Sequence, residues 1–164
     1  MSTGKSEYRQ ALGAFLTGVT IVTTLDETNA PWGVTANSFT SVSLDPQIIL
    51  VCLGRHGRAA PAFAATSRFA VNILAMDQQA LAGYFASSTE NRFTGTEWTR
   101  HGESGPILPG SAAWLDCPVR QRIEAADHVI LFGDVLAFDH TPHPPLGYQR
   151  GRFVAAHPVE TVHA

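Results

Sequence analysis

A succession of short β-branched runs, each closed by turn-forming residues, constrains this chain more than any other feature. Val19–Leu25 is followed by Asp26-Glu27-Thr28-Asn29 and then by Trp32-Gly33-Val34, the pattern of a hairpin. Gln47–Leu53 and Phe69–Leu74 repeat the signal, and Ala112–Leu115, Val119–Ala125 and Val129–Phe138 predict three further strands joined by short turns. Helical spacing is confined to Tyr8, Leu12, Phe15 and Leu16 ahead of Gly18, to Pro61–Thr66 and to Asp77–Phe85; Ser87–Pro109 has no clear period. Many strands with few helices predict a mainly β architecture. Closing such a sheet removes the edges an open one must protect, but the strand count leaves sandwich and barrel both open.

One domain over residues 1–164 is expected, with flexible tails at 1–7 and 156–164, since 164 residues at 45% hydrophobic content can bury one sizeable core. A net charge of −3, with Lys5 the lone lysine and no Lys/Arg run, argues against nucleic acid as a partner. No apolar stretch reaches the ~18 residues needed to span a bilayer. No apolar signal core follows Met-Ser-Thr-Gly-Lys-Ser, so a cytoplasmic protein that does not engage a membrane is expected. Cys52 and Cys117 lie outside any Cys-x-x-Cys pattern and read as free structural thiols. The scattered His56, His101, His140, His143, His157 and His163 lack ligand spacing, so no metal is expected. Neither a dinucleotide-binding Gly-x-Gly-x-x-Gly after a strand nor a P-loop is present, and there is no Gly-x-Ser-x-Gly elbow.

Between Trp32 and Leu53 a polar, uncharged loop sits between two strand-like runs. It carries the hydroxyls of Thr35, Ser38, Thr40, Ser41 and Ser43 and the amide of Asn37, groups that donate and accept hydrogen bonds without charge. Such a lining suits a flat, heteroatom-rich ring; an ordinary Ser/Thr-rich connection has the same composition.

The wording Gly33-Val-Thr-Ala-Asn-Ser-Phe-Thr-Ser-Val-Ser-Leu-Asp-Pro46 resembles the signature of the flavin reductase-like family, short-chain reductases that share a flavin-binding split-barrel fold. The resemblance continues through Thr17–Thr20, Phe69–Leu74, Ala113–Cys117, Asp127–Ile130 and Pro145–Phe153, in one order, over roughly residues 8 to 155. It implies a six-stranded antiparallel Greek-key split barrel with a few peripheral helices. It also implies NAD(P)H-dependent reduction of FMN or FAD, in which hydride passes from NADH or NADPH and the cofactors make the bonds. A homodimer with flavin near its interface is expected, as is a separate flavin-dependent monooxygenase that receives the reduced flavin.

The resemblance assigns the flavin border to Thr35, Ala36, Asn37, Ser38 and Ser41, and a second flavin contact to the end of the next strand, Cys52, Leu53 and Gly54. Relatives carry a Ser or Thr for the phosphate or ribityl chain just beyond; here the chain reads Gly54-Arg55-His56-Gly57-Arg58. Arg55 or Arg58 can replace that hydroxyl at the phosphate, or form a solvated surface pair. Arg92-Phe93 matches a basic-aromatic pair near the flavin; a loop-capping Arg with a core Phe is the structural alternative. Asp127-His128 matches a Gly-Asp-His motif whose His faces the nicotinamide, with Ala126 where relatives have Gly, and His128 is the candidate catalytic residue. In the last block Tyr148 can stack on nicotinamide and Arg150 or Arg152 can meet its pyrophosphate, or the block is a terminal strand with solvated arginines. Trp32, Trp98 and Trp114 read as packing residues. Two other functions fit: a flavin-binding module without turnover, and an oxidoreductase whose fixed flavin acts on a small organic substrate.

Overall fold

The computed structural model describes residues 3–158. Helix α1 (Thr3–Leu12) opens the chain, beginning inside the segment 1–7 expected as a tail; residues 1–2 and 159–164 lie outside the described residues. Strands β1 (Thr17–Gly18), β2 (Thr20–Leu25), β3 (Pro31–Ala36), β4 (Thr40–Leu44) and β5 (Gln47–Gly54) follow. Helix α2 (Ala60–Ala65), strand β6 (Arg68–Ile73) and helix α3 (Gln79–Ala86) come next, then β7 (Ala113–Ala125), β8 (His128–Asp134), β9 (Ala137–His140), β10 (Leu146–Gln149) and β11 (Arg152–Ala155).

All strand pairings are antiparallel, and the larger sheet runs β3-β2-β6-β7-β8-β5-β4, with β9 added beside β7. Its eight strands do not close by hydrogen bonding, which replaces the six-strand count expected from the resemblance. A second sheet of three, β1-β10-β11, joins residues from the two ends of the described chain.

Two strand boundaries differ from those read in the sequence. Ala112–Leu115 and Val119–Ala125 form one strand, because β7 pairs with β6 through Pro118 and with β8 from Val119, turning at a bulge between Val119 and Gln121. Val129–Phe138 divides, since β8 stops at Asp134 and β9 starts at Ala137 and leaves to pair with β7.

Val22, Val51, Phe63, Phe69, Val71 and Leu131 fill one core between the curled faces of the sheet, and Val19, Ile21, Leu74, Phe85, Leu108 and Leu146 a second beneath α3. The aperiodic segment after α3 is pinned to the sheet by buried Asn72. Its amide donates to the carbonyls of Ile21 (3.1 Å) and Pro106 (3.2 Å), and its oxygen accepts from the Leu108 N–H at 2.8 Å.

Candidate functional site

β3 and β4 are the two edges of the larger sheet, yet they are neighbours in sequence, linked by the bend Asn37-Ser38-Phe39. The hydroxyls of this stretch are partly committed to holding it. Thr35 donates to the Ala82 carbonyl of α3 at 2.7 Å, and the Ala36 carbonyl accepts from the Thr20 hydroxyl at 2.8 Å. Ser38 clamps β5, donating to the Cys52 carbonyl and accepting from the Cys52 N–H. The backbone N–H groups of Asn37, Ser38 and Phe39 and the exposed Asn37 amide have no partner among the described residues.

That bend opens on a cleft of about 1290 Å³. Asn37 and Ser38 form one wall, Tyr148 and Arg150 another, and α1 a third with Arg9 and Gln10. Tyr148 is braced edge-on by Phe153, ring centroids 5.6 Å apart. Arg150 and Gly151 both have positive φ, 48° and 78°, in the two-residue turn between β10 and β11. Arg152 is exposed on β11, opposite Gln149.

His128 opens β8 directly opposite Gly54, two residues along β5 from the Ser38 clamp at Cys52, about 7 Å by strand rise. Its Nδ1 lies 2.8 Å from an Asp127 carboxylate oxygen, and that hydrogen bond holds the Asp127 carboxyl below its ordinary range. Leu53 is buried in the core, while Cys52 is half-buried and its thiol is pushed up by burial. Cys52 and Cys117 are unpaired. Ser41 is exposed on β4, opposite Ile49.

Arg55 is taken up by the β7–β8 turn, pairing with Glu124 at 3.1 Å and reaching the Ala126 carbonyl. Arg58 pairs with Glu90 and lines a different cleft with Trp32, Gly33, Arg92 and Phe93. There Arg92 donates to the carbonyls of Gly33 and Ser87, leaving Nε without a partner, and Phe93 packs edge-on against Phe85 and Trp98.

The predicted residues therefore fall in three places within one chain: the cleft of Asn37, Ser38, Tyr148 and Arg150; the strand ends of Gly54 and His128; and the Arg58–Arg92–Phe93 cleft. Sequence reasoning missed Arg9 and Gln10 on the first cleft, because the apolar spacing of Tyr8, Leu12 and Phe15 drew attention away from the polar residues between them, although Leu12 and Phe15 line the same cleft. Among the described residues no three His, Cys, Asp or Glu side chains group as for a metal, and no helix is long and apolar enough to cross a membrane.

A curled antiparallel sheet whose edge strands are joined by a polar bend, with a cleft beside it lined by no carboxylate among the described residues, defines a mainly β protein with an open polar cleft. The chain belongs to the flavin reductase like domain family, whose model matches residues 12–157. It is 45% identical over 145 residues to a probable flavin reductase of Rhizobium meliloti (strain 1021), covering 88% of this chain and 47% of that protein. It is 42% identical over 147 residues to the reductase component of a flavin-dependent trigonelline monooxygenase of Acinetobacter baylyi, covering 90% and 47%. The chain thus spans about half the length of these curated relatives. Among solved structures, the Streptomyces globisporus C-1027 NADH:FAD oxidoreductase SgcE6, in complex with NAD and FAD fragments, superposes with TM-score 0.89 at 34% identity, covering 98% of each chain.

Proposed function

We propose that the protein is an NAD(P)H-dependent flavin reductase that binds FMN or FAD and supplies reduced flavin to a separate monooxygenase. The observation that carries this is the bend Asn37–Phe39, with its unpartnered N–H groups, opening on the same cleft as Tyr148 and Arg150. Family membership and the names borne by its relatives point the same way.

When bound, a flavin supplies the two-electron acceptor for hydride from reduced nicotinamide. The bend's N–H groups and the Asn37 amide present neutral donors to the heteroatom edge of such a ring, a fixed field that favours its reduced, anionic form. Tyr148 offers a ring face to the nicotinamide and Arg150 a charged fork to the pyrophosphate. His128, its Nδ1 turned to Asp127, presents Nε2 outward to bond the nicotinamide amide or to hold a proton near reduced flavin. Thr35, Ala36, Ser41, Cys52, Leu53 and Gly54 frame the flavin, with Arg58 and Arg92-Phe93 toward its phosphate; Arg152, exposed beside the turn, is the second arginine offered to the pyrophosphate.

The same reading takes the larger sheet as a split barrel, its gap bridged by the Ser38 clamp, in a single domain. It takes the working unit as a homodimer, which would unite the three separated parts of the site. The support is the exposure of Phe15 (75%), Leu44 (87%) and Leu136 (63%), large apolar side chains that a second copy would cover. The two free thiols accord with a cytoplasmic location.

The test is consumption of NADH and of NADPH by the purified protein with and without added FMN or FAD. Turnover that requires added flavin supports a reductase with diffusible flavin, turnover without it a retained flavin, and none in any combination overturns the reductase reading.

A further inference from the structure

We infer that Arg9 of α1 is a phosphate-binding residue for the nicotinamide dinucleotide, holding its pyrophosphate together with Arg150. This rests on the flavin reductase reading and adds a residue that neither the motifs nor the resemblance assigned.

Arg9 and Arg150 line one cleft although they lie 141 positions apart in the sequence, one on α1 and the other in the β10–β11 turn. Their backbones are tied across Gly13: its N–H donates to the Arg9 carbonyl at 2.9 Å, and its carbonyl accepts from the Arg150 N–H at 2.9 Å. A Cβ at Gly13 would stand 3.2 Å from the Arg9 carbonyl oxygen and 3.3 Å from the Arg150 Cα, so a side chain there would push the two backbones apart by a few tenths of an ångström.

Both cations are unspent. Arg55, Arg58, Arg68 and Arg120 are ion-paired, and Arg92 and Arg122 donate to backbone carbonyls; Arg100 and Arg152 are also without a side-chain partner among the described residues but do not line this cleft. Neither Arg9 nor Arg150 has a side-chain partner among the described residues. The chain carries a net charge of −3, yet among the described residues no carboxylate lines this cleft. Arg150 also occupies a left-handed backbone position, φ 48°, that Gly or Asn would fill with less strain. Two free guanidinium groups without a competing acid suit a diphosphate, which both can bind through paired hydrogen bonds.

ADP-ribose, which carries the pyrophosphate without nicotinamide, separates this role from hydride transfer. Calorimetric titration of the flavin-free protein should show R9Q binding ADP-ribose about tenfold or more weakly than wild type, with R9K intermediate, since lysine keeps the charge and loses the paired hydrogen bonds. The KM for NADH should rise in parallel while flavin affinity, read by fluorescence quenching, stays unchanged. Wild-type affinity in R9Q alongside weakened binding in R150Q overturns the inference and leaves the reductase reading intact. Failure of wild type to bind ADP-ribose while it oxidises NADH also overturns it. Absence of NADH oxidation with either flavin fails the reductase reading itself.

Discussion

Ser38 takes the place of a peptide group opposite Cys52: its Oγ accepts from the Cys52 N–H at 3.1 Å and donates to the Cys52 carbonyl at 2.7 Å. The neighbouring Asn37 makes no such contact and faces the cleft. Ser38→Ala should therefore cost about 1–3 kcal/mol of stability by stranding both Cys52 groups, and weaken flavin binding as the bend loosens. Asn37→Ala should weaken flavin binding with stability within about 0.5 kcal/mol of wild type. Urea denaturation beside flavin fluorescence titration checks the division; equal stability losses in both variants would refute it.

In the proposed site His128 acts through Nε2, because its Nδ1 is taken up by the Asp127 carboxylate. His128→Ala should lower the flavin reduction rate at subsaturating NADH about tenfold or more, and Asp127→Asn by less, since the ring stays in place. Stopped-flow flavin bleaching gives both rates, and an unchanged rate in His128→Ala removes this residue from the site.

Gly33 meets the rings of α3 and the loop beyond it. A Cβ there would lie 2.7 Å from the Phe85 ring and 3.3 Å from Phe93, so Gly33→Ala should cost about 1–3 kcal/mol through overpacking. Thermal unfolding should show the loss. A wild-type melting temperature would mean that the Phe85–Phe93 pair moves aside freely.

The Asp26 carboxylate receives the Thr28 N–H and hydroxyl, the Ala30 N–H and the Trp32 indole N–H, which together hold its pKa at about 2. A depressed carboxyl stabilises the fold above its ordinary value of 3.8 and loses that contribution as pH falls through about 2. The melting temperature of wild type should thus drop between about pH 4 and 2 more steeply than that of Asp26→Asn. The Trp32 indole N–H resonance should titrate in the same window; parallel pH profiles for the two proteins would show that this cluster does not sense acid.

The strands buried on at least one face were legible, because β2, β5, β6 and β8 carry runs of Val, Ile, Leu and Phe. β4 was not, since Thr40-Ser41-Val42-Ser43-Leu44 is short and Ser/Thr-rich, and its two apolar residues, Val42 and Leu44, are exposed rather than buried on a core face. The division of β7 between two partners was hidden for a different reason: Pro118 reads as a break, but at a bulge it ends one pairing and admits the next. At the site, the bend Asn37–Phe39 and the Tyr148–Arg150 turn were found by motif. That Thr35 and Ser38 spend their hydroxyls on Ala82 and Cys52 depends on contacts distant in sequence, as does the approach of α1.

The β1-β10-β11 sheet and the α1 contact bring together groups such as Gln149 and Ala14, 135 positions apart. Closing so long a loop is entropically expensive, so these contacts are favoured only after the larger sheet has condensed. The cleft is thus a late product of folding. A nascent chain emerging from the ribosome can form the hairpin β2–β3 early, but the cleft between the Asn37 bend and α1 is incomplete until residue 151 is free to reach back to α1.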